Sequence, residues 1–149
     1  MSQYASIDDL TNIAEGDLLA SLADDSDGTP DITDPDTVAV INRALQNSSA
    51  RIDAALRGQG ISLPLQPPID PFLIVLACEL ALPELWGRRT GQPTYPRETS
   101  LLQAEANLKR ICTGEMKVEI SGAAEVTPTI SSTTDADDAT FTKETLKAF

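Results

Sequence analysis

The chain contains no histidine, and its two cysteines, Cys78 and Cys112, stand far apart. The first absence removes the commonest general base near neutral pH, and the second leaves no Cys/His spacing of the kind zinc sites use. Each cysteine falls in an apolar run, which predicts buried free thiols, with a disulfide joining their two helices as the alternative. Aromatics are only 4% of the 149 residues, so Leu, Ile, Val and Ala must fill the core. No apolar run reaches the roughly eighteen residues of a membrane span, and Met1-Ser2-Gln3-Tyr4-Ala5 has neither the basic nor the apolar character of a secretory leader. Positive charge is missing from residues 1–36, which carry ten acids and no Lys or Arg.

Hydrophobic residues, at 41%, suffice for one ordinary domain. The net charge of −12 is spread unevenly: −10 over residues 1–36, +2 over 37–114 and −4 over 115–149. Such a surface repels a phosphate backbone within a Debye length of about 10 Å, which argues against sequence-specific nucleic-acid binding. A protein partner with basic patches is the natural complement.

Helical signals dominate the first three quarters of the chain. Ser6 followed by Asp9 forms a short-carboxylate capping box for a helix beginning at Ile7, with Ile7 and Leu10 as its apolar face. A second short helix is predicted from Glu15 to Leu22, with Leu18, Leu19 and Leu22 toward the core. Asp34 or Asp36 caps a long helix from Pro35 or Thr37 to Arg57, stopped by Gly58 and Gly60. Its buried stripe is Val38, Ile41, Leu45, Ser48, Ile52, Ala55 and Leu56, while Arg43, Gln46, Asn47, Arg51, Asp53 and Arg57 take the remaining circumference. Arg43 and Arg51 are candidate contacts for an acidic neighbouring subunit or a phosphate, against plain solvation of a helix face.

Asp70 as N-cap with Pro71 at N1 opens the next helix, whose run from Phe72 to Leu82 has almost no polar side and predicts a central helix covered all round. Pro83 bends or tightens its end, and Glu79 either pairs with an arginine or faces a local opening. A last long helix is predicted from Pro96 to Thr113, stopped by Gly114, with Leu101, Ala104, Leu108 and Ile111 as its stripe, widened by Leu102 and Cys112.

The connections carry the candidate chemistry. Residues 24–36 crowd six acids, Gly28, Pro30 and Pro35 into a loop anchored by Ile32. Asp25, Asp27, Asp31 and Asp34 could converge on Ca²⁺, but the order of an EF-hand and its closing Glu are missing, and a solvated acidic loop is the plainer reading. Ile61, Leu63 and Leu65 alternate in a proline-rich strap, which predicts an extended segment pressed against one surface. Arg88 and Arg89 beside Trp86 and near Tyr95 have the chemistry of a protein-docking hot spot, with an ordinary solvated loop or a nucleic-acid contact as alternatives.

After Gly114 the composition shifts. Met116, Val118 and Ile120 alternate as a strand would, residues 126–133 could form an edge strand, and Phe141, Leu146 and Phe149 end the chain among lysines. The fold class read from the pattern is mainly α. It is a compact bundle of three long helices with short N-terminal helices over residues 1–114, followed by a β or extended arm over 115–149. The three terminal apolar residues are candidate grips on another chain, against disorder in isolation.

Tyr4-Ala5-Ser6-Ile7-Asp8-Asp9-Leu10, the loop Asp25-Ser26-Asp27-Gly28, Val40-Ile41-Asn42-Arg43-Ala44-Leu45 and Ser49-Ala50-Arg51-Ile52-Asp53-Ala54-Ala55-Leu56-Arg57-Gly58 stand in one order with Leu63-Pro64-Leu65, the apolar helix from Ile69, and Leu108-Lys109-Arg110-Ile111-Cys112-Thr113-Gly114. In this order the chain resembles, over residues 4–118, the tailed-phage proteins of the Mu-like gene product 36 family. The resemblance implies a structural head-tail connector, without cofactor or catalytic residues. Such a subunit sits in a ring, often of twelve copies, in the virion neck, having been in the host cytoplasm during assembly. There it docks beneath the portal protein, receives a tail or head-completion protein, and lets DNA pass.

Two other readings compete with a non-catalytic, membrane-free connector. A calcium-binding or carboxylate-based module could centre on residues 24–36, although paired acids that divide acid and base roles need a fixed separation. A monomeric helical regulatory protein would instead remain monomeric in particle extracts.

Overall fold

The computed structural model describes residues 4–25, 29–89 and 94–118. They form five helices: α1 (Ile7–Thr11), α2 (Gly16–Ala23), α3 (Pro35–Gly58), α4 (Pro71–Gly87) and α5 (Glu98–Cys112). The protein is mainly helical. Helices α3, α4 and α5 pack pairwise on one another, and α1 and α2 lie against α3 and α4.

The helix starts follow their caps. Ser6 Oγ accepts from the Asp9 amide at 3.2 Å while the Asp9 carboxylate accepts from the Ser6 amide at 2.8 Å, closing the capping box. The Ser6 hydroxyl also donates to the Asp9 carboxylate at 2.6 Å, and this bond, with that from the Ser6 amide, holds the Asp9 carboxyl below the ordinary value near 3.8. A depressed folded-state value means stability present above the unfolded pKa and lost as pH falls through the folded one. The expected result is therefore that Asp9→Asn lowers the thermal midpoint at pH 6 and that the gap to the parent closes below pH 4, followed by circular dichroism. Asp34 caps α3 by accepting from the Asp36 and Thr37 amides, and Asp70 caps α4 by accepting from the Phe72 amide, each with proline at N1.

Helix ends are equally local. Gly60, at φ 75°, lets the Gly60 amide donate to the Arg57 carbonyl at 2.9 Å and the Ile61 amide donate to Leu56 at 3.2 Å, the paired bonds of a Schellman stop. The strap then alternates as expected: Ile61, Leu63 and Leu65 pack partly buried on the core while Ser62, Pro64 and Gln66 face out. Ile32 packs against the core from the acidic loop.

Several assignments to a face differ from the periodicity. Leu18 is exposed, and Ala20 and Ala23 join Leu19 and Leu22 inside, because α2 is packed against both α3 and α4. Leu102 and Cys112 do not widen the α5 stripe; both are exposed, and only Ala104 and Ile111 of that helix are fully buried. Cys112 is thus a free surface thiol, whereas Cys78 is a free buried one whose pKa burial pushes up to about 12. Asp53, expected on the outer face of α3, is buried because the Tyr4 hydroxyl donates to its Oδ1, while the Tyr4 amide donates to Ser49 Oγ at 3.2 Å. The segment before α1 is pinned to α3 by these two bonds.

α5 begins two residues later than predicted, since Arg97 occupies its N-cap with a side chain engaged elsewhere. At its other end Gly114, at φ 77°, turns the chain, and Gln59 at the close of α3 donates to the carbonyls of Ile111 and Met116. Among the described residues there is no strand: Met116 and Val118 lie against the core outside regular structure. The strands expected at Ile120 and 126–133, and Phe141, Leu146 and Phe149, lie outside the described residues. No described helix is long and apolar enough to cross a membrane.

Candidate interaction surface

The basic cluster after α4 is engaged within the chain. Arg88 Nη1 donates to the Ala23 carbonyl at 3.1 Å and its Nη2 pairs with Asp25, while Arg89 donates to the Asp24 carbonyl. Two guanidinium groups thus satisfy the unpaired carbonyls at the C-terminal end of α2, where the helix dipole also favours positive charge. The acid-to-base complement that the sequence offers to a neighbouring copy is made here inside one copy, because α2 and α4 are packed side by side.

Trp86 and Tyr95 meet edge-to-face with ring centroids 5.8 Å apart. Next to this pair lies the charged cluster of the α4–α5 junction. Arg97 pairs with Glu79 and also donates to the Ile13 carbonyl at 2.9 Å, tying α5 to α4 and to the end of α1. The Tyr95 hydroxyl is buried with no hydrogen-bond partner among the described residues; burial raises its pKa, the Glu79 charge raises it further, and Arg97 offsets part of this. Sequence reasoning left Glu79 open between an arginine and solvent; the structure selects the arginine.

The remaining candidates are separate. Arg51 meets Glu105 at 3.5 Å with both side chains about half exposed, an arrangement worth between zero and about 1 kcal/mol. Arg43 is exposed and makes no ion pair among the described residues; with Val40, Ala44, Glu84, Leu85 and Arg88 it lines a shallow cleft of about 200 Å³. A wider cleft of about 410 Å³ is walled by Asp24, Asp25, Asp31, Asp34 and Asp36, but no three described acids converge as metal ligands. Asp27 lies outside the described residues.

One surface was not legible in the sequence. Between α4 and α5 runs a groove of about 280 Å³, with Phe72, Val75 and Leu76 on one wall, Thr99, Gln103 and Asn107 on the other, and Glu79 and Ala104 also lining it. Val75 is 51% exposed, so α4 is not covered all round as its sequence predicts; the α5 side of the groove is lined mainly by polar side chains.

Residues 4–135 of the sequence match a known family model described as Bacteriophage Mu, Gp36. The chain belongs to the bacteriophage Mu Gp36 family. No curated protein matches the chain. The Gp36 match takes in every described residue and continues through the acidic stretch to residue 135. The matched range takes in the capped helices and the strap, whereas Phe141, Leu146 and Phe149 lie past its end.

Proposed function

We propose that this Gp36-family phage protein is a structural head-tail connector subunit, assembled as a ring beneath the portal and performing no catalysis. The observation that carries the reading is the family match over residues 4–135. The charge layout supports it. Asp8, Glu15, Asp17, Asp31, Asp34 and Asp36 are exposed at the front of the molecule, and Arg43 and Arg51 are exposed on α3. A ring joins one face of each subunit to a different face of the next, so an acidic front and a basic flank on the same copy can meet in turn. Arg88 and Arg89 take no direct part in this arrangement, since they close the end of α2. A wall rich in carboxylates neutralises few phosphates and lets DNA pass without holding it.

Electron microscopy of the intact particle tests the proposal: density for residues 4–118 is expected in repeated copies at the junction of head and tail. Particles whose neck is complete without this fold would end the connector reading.

A further inference from the structure

We propose that the groove between α4 and α5 is the seat of the chain's own C-terminal segment, residues 141–149. A helix apolar on every side, as α4 is from Phe72 to Leu82 apart from Glu79, is stable when covered on every side. The described residues leave one strip open, where Val75 is half exposed above the groove. A second group there is also unfinished: Glu79 Oε2 is buried with no hydrogen-bond partner among the described residues. The missing cover must bring large apolar side chains for Phe72, Val75 and Leu76, and a donor for Glu79.

The segment Phe141-Thr142-Lys143-Glu144-Thr145-Leu146-Lys147-Ala148-Phe149 has that chemistry. It holds two of the three phenylalanines of the chain, and no aromatic residue occurs between Tyr95 and Phe141. Its two lysines and one glutamate make it net positive in a chain of net charge −12. That charge suits a groove that contains Glu79 and begins beside the exposed Glu98 in the first turn of α5. The geometry permits the contact. From Cys112 back to Gln103 is roughly 15 Å along a helix, whereas the 22 residues from 119 to 140 can extend to about 70 Å. This reach serves the groove of the same copy or that of a neighbour.

Disulfide trapping in the full chain tests the docking. With Cys112→Ser removing the exposed thiol and Cys78 buried, the pair Gln103→Cys and Ala148→Cys leaves Phe141, Leu146 and Phe149 in place. A control pair joins Ala148→Cys to Gln46→Cys, exposed on α3. Docking predicts that the groove pair oxidises at least about tenfold faster than the control, through the raised effective concentration of a bound segment. It also predicts that the excess disappears when Phe141, Leu146 and Phe149 are all changed to Ser. A product of monomer mass assigns the segment to its own groove, and a dimer or ladder assigns it to the next copy. Equal rates for the two pairs, or an excess that survives the three serine changes, overturn the proposal. These rates do not depend on the connector role, so the two readings can fail separately.

Discussion

Replacing Arg97 by alanine is expected to lower stability by about 2–3 kcal/mol, seen as a drop of roughly 5–10 °C in thermal midpoint. The Glu79 side chain is only 12% exposed, and Arg97 is its one ionic partner among the described residues. Removing the guanidinium leaves a carboxylate in a nearly dry site and also frees the Ile13 carbonyl that Arg97 holds at 2.9 Å. A fully buried pair broken this way typically loses 3–5 kcal/mol; the 37% exposure of Arg97 admits some water and brings the figure down. The added change Glu79→Gln discriminates cause, because it removes the stranded charge while keeping the size of the side chain. The double variant is expected to recover about half of the loss. If Arg97→Ala and the double variant were equally unstable, the loss would lie in the Ile13 bond and the helix start, not in Glu79.

The second large effect concerns the core. Leu45→Ala in the middle of α3 is expected to cost about 2–5 kcal/mol, since Leu45 is fully buried and its truncation opens a cavity in the core. Leu102→Ala, the same chemical change at a residue 60% exposed, is expected to move stability by no more than about 0.5 kcal/mol. Urea unfolding followed by far-ultraviolet circular dichroism measures both. Comparable losses at the two positions would mean that Leu102 is covered by something outside the described residues, whether another chain or the remainder of this one.

The elements most legible in the sequence were those whose causes are local. The reciprocal bonds of Ser6 and Asp9, proline directly after Asp34 and Asp70, and glycine at positive φ after α3 and α5 act within one turn of chain. Their residue types and spacing therefore predicted helix boundaries to within about two residues. The alternation of Ile61, Leu63 and Leu65 was readable for the same reason, since an extended backbone sends successive side chains to opposite sides.

Asp53 shows where that reading stops. A charge beside a buried stripe is ordinarily turned to water; here Tyr4, arriving from 49 positions away, donates to Asp53, and Arg57 lies 3.9 Å from its other oxygen. A usable signal existed in the spacing of Leu45, Ser49 and Asp53, which places all three along one flank of α3. Arg88 and Arg89 are a parallel case. Their composition fits a docking site, but the packing of α2 beside α4 supplies them with carbonyls and Asp25 from the same chain.

Amino-acid order alone determined that the protein is helical, where its main helices begin and end, its acidic front and its phage family, because capping, periodicity and charge need no distant partner. Tertiary structure decided which polar groups are buried, that the basic loop closes α2, and that α4 keeps an open groove beside α5. Those outcomes depend on which surfaces meet across the fold, and a side chain acquires its burial and its partners only when they do.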